Sequence, residues 1–168
     1  MVASCRGDRR TGALGPRYHQ SGRGAARDAD ANHGRCAVVN VRRALADTSV
    51  FIGIEATRFD PDRFAGYEWG VSVVTLGELR LGVLQASGPE AAARRLSTYQ
   101  LAQRFEPLGI DEAVSEAWAL LVSKLRAAKL RVPINDSWIA ATAVAHGIAI
   151  LTQDNDYAAM PDVEVITI

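Results

Sequence analysis

The amino-acid sequence predicts a three-layer α/β fold in which helices flank a central, mainly parallel sheet. From residue 41 onward, short β-branched runs alternate with segments of helical length, which is the order that a parallel sheet with crossover helices requires. The runs at 70–75 and 148–152 lack a polar alternation, as is typical of strands that helices cover on both faces. These observations together place the chain in the α/β class.

Strand and helix patterns alternate in the first half of this region. A run that ends at Asp47 predicts the first strand, and the hydroxyl of Thr48 or Ser49 can open the helix that follows. A Gly-Pro break at 88–89 separates the second helix from an amphipathic third one. The predicted elements are a strand at 41–47, a helix at 48–56, a strand at 70–75, a helix at 76–86 and a helix at 90–105.

The second half continues the alternation. A brief apolar run precedes a long helical pattern with Val114, Trp118, Leu121 and Leu125 at helical spacing. Gly147 ends the next helix as a C-cap. The predicted elements are a strand at 106–110, a helix at 111–130, a helix at 135–147, a strand at 148–152 and a strand at 163–168.

The first forty residues differ in composition from the rest of the chain. They contain six of the fourteen glycines and show no helical or strand period, so they bury too little apolar surface to offset the entropy of ordering. They also lack the apolar run of a secretory signal. We therefore predict a disordered basic extension at 1–40, which a start codon assigned too far upstream would also produce, and a folded domain at 41–168. A basic RNA-binding arm is the alternative for 1–40.

The net charge of zero is the sum of two opposite parts. Residues 1–40 carry seven arginines and three aspartates, a net of +4, which leaves twelve basic and sixteen acidic residues, a net of −4, in 41–168. An acidic domain at 41–168 cannot bind nucleic acid by charge alone, so a nucleic-acid enzyme of this composition needs another source of positive charge. The sequence shows no apolar stretch of membrane-spanning length, and Cys5 and Cys36 form no ligand spacing. We expect a cytoplasmic protein.

Carboxylates fall at one edge of the predicted sheet. Asp47 ends the first strand, Glu78 lies early in the helix after the second strand, and Asp154 follows the fourth strand. The carboxyl ends of parallel strands share an edge, where such folds bind ligands, and Asp136 joins this edge if its helix begins there. Carboxylates gathered in this way repel one another unless a divalent cation neutralises them. All-oxygen ligation suits Mg²⁺ or Mn²⁺.

Each acid except Asp47 also has a simpler interpretation when it is taken alone. Asp136 can be a helix-terminal acid that interacts with the helix dipole, and Glu78 can be a solvated helix residue. Asp154 and Asp156 can be turn residues, and Asp156 is a second candidate for the ligand position of Asp154. The constellation is more specific than any of its members, because all of them fall at one predicted edge.

Four segments resemble a PIN domain, and specifically a VapC-type toxin: ALADTSVFIGIEA (44–56), SVVTLGELRLGVL (72–84), INDSWIAATAVAHGIAILTQDNDY (134–157) and VEVITI (163–168). The resemblance runs from about residue 41 to 168. It implies an α/β fold with a central parallel sheet and a Mg²⁺- or Mn²⁺-dependent ribonuclease that hydrolyses RNA phosphodiesters to 5′-phosphate and 3′-hydroxyl ends. It also implies a cognate VapB-type antitoxin and a symmetric dimer.

The resemblance also assigns residues. The catalytic, metal-binding acids of the family fall on Asp47, Glu78, Asp136 and Asp154. Gln153 stands where the family usually has a basic residue, which removes the basis for a phosphate contact there. The antitoxin is expected to contact the segments 58–69 and 90–105, which mix aromatic residues and arginines, residue types that are enriched at interfaces.

Three other classes of α/β protein can also gather acids at a strand edge. A phospho-receiver module needs a lysine on the last strands, but both lysines of the chain, Lys124 and Lys129, lie in the long helix. A phosphoaspartate hydrolase needs an aspartate at position 49, which is a serine. A non-catalytic interaction protein that has lost its metal remains as the third alternative.

Overall fold

The structure, a computed structural model, describes residues 42–168 except Phe59, Ala65 and the side chains of Pro61 and Arg63. The predicted extension at 1–40 therefore lies outside the described residues. Within the described part, no helix is long and apolar enough to cross a membrane.

Strands and helices alternate along the described chain. In chain order, the elements are β1 (Arg42–Ala46), α1 (Thr48–Glu55), β2 (Tyr67–Ser72), α2 (Val73–Leu84), α3 (Pro89–Ala102), β3 (Pro107–Leu108), α4 (Glu112–Ala127), α5 (Ile134–His146), β4 (Ala149–Thr152) and β5 (Val165–Thr167). Two 3₁₀ turns that the sequence did not predict lie at Pro61–Phe64 and Asn155–Ala159.

The five strands form one parallel sheet in the order β3-β2-β1-β4-β5. Leu45 of β1 lies in register with Gly70 of β2 on one side and with Ile150 of β4 on the other. The chain proceeds outward from β1 to β3 and then returns to the other side of β1. The order of the strands therefore reverses between β1 and β4, and folds of this kind bind ligands at that switch point.

Two apolar clusters lie on the two faces of the sheet. Leu45 packs with Leu121 of α4 and Ile139 of α5, whereas the next residue, Ala46, packs with Phe51 of α1. Successive strand residues point to opposite faces of a sheet. Strand β1, which is apolar on both faces, therefore contributes to both clusters. The sheet is covered by helices on both sides, which confirms the predicted three-layer α/β fold.

The second strand lies three residues earlier than predicted. The β-branched run at 70–75 was expected to be extended throughout, but the strand ends at Ser72 and α2 begins at Val73. The hydroxyl of Ser72 accepts a hydrogen bond from the backbone N–H of Thr75 at 2.9 Å, which is the geometry of an N-cap. The cap starts the helix inside the β-branched run, because local capping outweighs weak strand propensity.

The opening residue of α1 also differs from the prediction. Thr48 or Ser49 was expected to cap this helix, but Asp47 occupies the cap position and accepts from the backbone N–H of Ser49 at 3.3 Å. The sequence also predicted that Gly147 is a C-cap. Gly147 does cap the C-terminal end of α5, with φ of 62°, a left-handed conformation that glycine adopts without strain. That prediction is confirmed.

Candidate metal centre

Asp47 lies at the switch point of the sheet, directly after β1. Its backbone N–H donates to the carbonyl of Leu151 in β4 at 3.0 Å, so the pairing of the two central strands continues to this residue. The side chain is only 4% exposed. A carboxylate this deeply buried needs hydrogen-bond donors around it.

Three donors surround the Asp47 carboxylate. Oδ2 accepts from the hydroxyl of Thr152 at 3.0 Å and from the backbone N–H of Ser49 at 3.3 Å. Oδ1 accepts from the phenol of Tyr157 at 3.1 Å. Burial raises the pKa of the Tyr157 phenol far above its usual range, and the neighbouring Asp47 raises it further. The phenol is therefore protonated throughout the neutral range and acts as a permanent donor.

Glu78 is held between two elements. It lies in α2, and its Oε2 accepts from the hydroxyl of Thr48 at the start of α1. Its Oε1 accepts from the side-chain amide of Asn135 in α5 at 2.8 Å. Each carboxylate oxygen has two lone pairs, so both oxygens keep the capacity to bind a cation. Sequence reasoning missed Asn135, although its place beside Asp136 in the first turn of α5 was a usable signal.

Asp136 lies half-buried in the first turn of α5. Burial raises the pKa of its carboxyl from 3.8 to about 7. The charges of four further carboxylates contribute to this shift, those of Asp47, Glu78, Asp154 and Asp156. The other four acids thus all lie within electrostatic reach of Asp136, so α5 does begin at the predicted edge.

Asp154 and Asp156 follow β4 on an exposed turn. One carboxylate oxygen each from Asp136, Asp154 and Asp156 lies within 4.8 Å of the other two. The backbone N–H of Asp154 donates to Thr152 Oγ1 at 2.9 Å, so the hydroxyl of Thr152 fixes both this turn and Asp47. Asp156, the second candidate in the sequence, lies beside Asp154, and the cluster includes both.

The chemistry of this set fits a divalent cation. Its donors are all carboxylate oxygens, the ligands that Mg²⁺ and Mn²⁺ prefer. Burial is the main cause of the raised pKa of Asp136, and the charges of the neighbouring carboxylates raise it further. A bound cation would relieve that repulsion. Asp136, Asp154 and Asp156 could hold the ion together, with Asp47 and Glu78 adjoining them.

A second surface of the domain is apolar. A groove of about 300 Å³ is lined mainly by aromatic and aliphatic side chains, those of Phe51, Ile54, Asp62, Phe64, Tyr67, Trp69, Leu101 and Phe105. Phe105 packs edge-on against Phe51, with ring centroids 6.2 Å apart, and stacks on Trp69 at 6.5 Å. The groove joins part of the segment 58–69 to the end of α3, two regions that the sequence marked as a contact surface.

Comparisons with known proteins agree with this architecture. The sequence matches the PIN domain family over residues 44–163. It is similar to ribonuclease VapC4 of Mycobacterium tuberculosis, with 99% identity over 130 residues, which cover 77% of this chain and 100% of the relative. It is also similar to ribonuclease VapC5 of the same organism, with 41% identity over 132 residues, 74% of this chain and 94% of the relative.

A solved structure is similar over the same region. It is the crystal structure of VapBC-5 from Mycobacterium tuberculosis, a member of the VapBC family of toxin-antitoxin systems. The TM-score is 0.66 and the sequence identity is 38%, and the match covers 75% of this chain and 98% of that chain.

Proposed function

Since this chain belongs to the PIN domain family, we propose that it is a Mg²⁺- or Mn²⁺-dependent endoribonuclease that hydrolyses RNA phosphodiesters. Its role would be that of the toxin in a VapBC-type toxin–antitoxin pair. The names of the two relatives, both ribonucleases, and the toxin–antitoxin description of the similar structure support this proposal.

The observation that carries the proposal is the gathering of acids where the strand order reverses. Two helices, one strand end and one turn gather five carboxylates, and the charges of the other four add to the effect of burial, which raises the pKa of Asp136 to about 7. A purely structural set of caps and turns would not need to gather like charges. In a non-catalytic interaction protein without a metal, the repulsion between the carboxylates would serve no purpose. The site therefore favours the enzyme over that alternative.

We propose the predicted set of ligands, Asp47, Glu78, Asp136 and Asp154, and add Asp156 to it. The addition rests on the oxygen of Asp156, which lies within 4.8 Å of those of Asp136 and Asp154. When bound, a divalent cation would polarise a phosphoryl oxygen and lower the pKa of an attacking water.

The chain's own residues orient the acids for this reaction. Thr152 and Tyr157 hold the carboxylate of Asp47, while Thr48 and Asn135 hold that of Glu78. These neutral donors fix the ligand geometry before the substrate arrives, as the supporting partners of a metal site do. The reaction uses water as the nucleophile, so it requires no activated serine or cysteine.

Expression in cells tests the proposed function. Induction of the full chain without an antitoxin should stop growth and produce specific cleavage products in total RNA. Asp47→Ala should remove both effects, and Glu116→Gln, a change of an exposed acid in α4, should retain both. Continued growth with intact RNA, while soluble wild-type protein accumulates, would contradict the proposal.

The partner would bind the apolar groove. RNA is a polyanion that needs cationic side chains beside its phosphates, whereas the described residues that line this groove include an acid, Asp62, and no lysine or arginine. Aromatic side chains are enriched at protein interfaces. We therefore place an apolar segment of a VapB-type antitoxin in the groove.

Co-expression tests the assignment of the groove. Leu101→Asp would put a charge into the groove and should prevent co-purification with the antitoxin encoded beside the gene. Leu130→Asp, at an exposed leucine after α4 that does not line the groove, is the matched control and should leave the complex intact. Equal retention of the antitoxin by both variants would show that it binds elsewhere.

A further inference from the structure

A glycine inside α1 makes room for a side chain from the turn after β4. Gly53 is buried within this helix, although glycine is less favourable than alanine at helical positions. A Cβ at this position would lie 2.6 Å from Nε2 of Gln153 and 3.0 Å from its Cδ and Oε1. A methyl group at this position would therefore require the end of the Gln153 side chain to move, so Gly53 allows a close contact between the two residues.

The turn that carries Gln153 does not need this contact to keep its shape. The backbone N–H of Gln153 donates to the hydroxyl of Ser49 at 2.9 Å. The next backbone N–H, that of Asp154, donates to Thr152, and that of Asp156 donates to Asp154 at 3.0 Å. The backbone and short side chains therefore hold the turn, and the Gln153 carboxamide is available for another role.

The carboxamide of Gln153 keeps its hydrogen-bonding groups free. Within the described part of the chain, its amide nitrogen and oxygen have no hydrogen-bond partner, whereas every buried side-chain nitrogen and oxygen there has one. Both amide atoms are therefore accessible to solvent. Gly53 borders the carboxamide of Gln153 on one side. The amide nitrogen and oxygen remain accessible to solvent, one residue before Asp154.

We infer that Gln153 is a specificity-determining residue that hydrogen-bonds to a nucleobase beside the scissile phosphate. This inference rests on the proposed function. A neutral amide offers a donor and an acceptor together, which matches the edge of a base better than it matches a phosphate. Single-stranded RNA exposes such edges, because its bases can be unstacked and read individually. Packing against Gly53 restricts the side chain before binding, which lowers the entropy lost on recognition.

The test is a comparison of cleavage preferences. RNA oligonucleotides that differ by one base at the positions flanking the cleavage site are cleaved by the full chain, and kcat/KM is measured for each. Gln153→Ala should reduce the discrimination at one position by between about 5-fold and 150-fold, the range for loss of a bidentate base contact. Gln85→Ala, an exposed glutamine after α2, should leave every preference unchanged.

A second variant, at Gly53, alters the position of the Gln153 side chain without changing residue 153 itself. Gly53→Ala should displace the carboxamide and reduce the same preference, although alanine favours the helix. Added to Gln153→Ala, it should cause no further loss, because the two residues act as one unit. Metal affinity, measured by calorimetry, should match that of the wild type in both variants, and the same base preference should appear in RNA binding measured by fluorescence anisotropy in EDTA.

Two results would overturn the inference while leaving the nuclease proposal intact. The first is an unchanged preference in Gln153→Ala. The second is an equal loss on all RNAs together with weaker metal binding, which would mean that Gln153 only positions the acidic turn. A wild-type protein that binds metal and cleaves no RNA would instead defeat the proposed function, and this inference with it.

Discussion

Asp136 is the acid whose protonation is most closely linked to metal binding. Its pKa of about 7 in the folded, metal-free protein is above the 3.8 of the unfolded chain, so the folded state binds an extra proton between these values. The contribution of this group to stability therefore falls as the pH rises through that window and is constant above about pH 7.

The same shift predicts pH-dependent metal binding. A cation must displace the proton of Asp136, so we expect the affinity for Mg²⁺ to decrease below pH 7, by up to about tenfold per pH unit. Calorimetry at pH 6 in two buffers with different ionisation enthalpies should reveal proton release, and at pH 8 the release should be small. Asp136→Asn should raise the thermal midpoint of the metal-free protein at pH 8, and Glu116→Gln should not. Proton release that is equal at both pH values would contradict the assignment.

Tyr157 is the buried hydrogen-bond donor to Asp47. The effect of removing its hydroxyl can be measured in a protein that keeps the Asp47 carboxylate. Tyr157→Phe removes the hydroxyl that lies 3.1 Å from Oδ1 of Asp47 and leaves a buried carboxylate with fewer donors. We expect a loss of about 1–3 kcal/mol in the free energy of unfolding and a decrease of about 10-fold to 100-fold in metal affinity. Urea denaturation and calorimetry measure the two effects. Tyr67→Phe, whose hydroxyl accepts from Arg42 at an exposed site, is the control, and equal effects from both variants would argue against a special role for Tyr157.

The gathering of the acids at one edge was predictable from the sequence, but the hydrogen bonds of Asn135 and Tyr157 to them were not. Asp47 and Asp154 follow runs that read clearly as strands, and the direction of parallel strands places both at one edge. The contact of Asn135 with Glu78 joins residues 57 positions apart, and that of Tyr157 with Asp47 joins residues 110 positions apart. Such contacts depend on how α2, α5 and the final turn pack, which periodicity does not reveal.

At the scale of elements, the limits of prediction lie in the boundaries. The run at 70–75 has β-branched residues suited to a strand, and the same residues fit the first turn of a helix once it is capped. Ser72, which is fully buried and bonded to the hydroxyl of Thr75 at 2.9 Å, decides between the two. The long pattern of α4 was easier to predict, since its apolar spacing persists over several turns.

The cap at Ser72 gives a prediction for α2, the helix that carries Glu78. Ser72→Ala should lower the free energy of unfolding by about 0.5–2 kcal/mol, because the N–H of Thr75 loses its acceptor. Urea denaturation measures the change. Ser97→Ala, an exposed serine within α3 that bonds to the carbonyl of Ala93, is the matched control and should change stability much less. If Ser72→Ala is as stable as the wild type, the cap does not determine where α2 begins.

At the scale of the whole molecule, the composition of residues 1–40, with six glycines and no helical or strand period, predicts that they bury too little apolar surface to join a core. Deletion of residues 1–40 should therefore leave the thermal midpoint and the metal affinity unchanged. Differential scanning calorimetry of the full and shortened chains, with and without Mg²⁺, makes the comparison. Loss of a cooperative transition in the shortened chain would show that the first forty residues contribute to the fold.

The symmetric dimer that the family resemblance implies remains a prediction for the whole molecule. Leu84 of α2, Leu120 of α4 and Ile134 of α5 are 69%, 59% and 60% exposed, so apolar side chains are available for such an interface. Light scattering of the purified full chain should give twice the monomer mass. A monomer at micromolar concentrations would contradict the dimer proposal and would leave the assignment of the active site unaffected.

The central claim is that the gathered acids bind a cation with which the protein cleaves RNA. The most direct measurement is the rate at which purified, antitoxin-free protein cleaves single-stranded RNA as Mg²⁺ is added, with Asp47→Asn, Glu78→Gln and Asp136→Asn measured in parallel. We expect cleavage that requires Mg²⁺ or Mn²⁺, stops in EDTA and is nearly abolished in each folded variant, while Glu116→Gln retains the wild-type rate. Cleavage that continues in EDTA, or that survives the change of all three acids, would contradict the account.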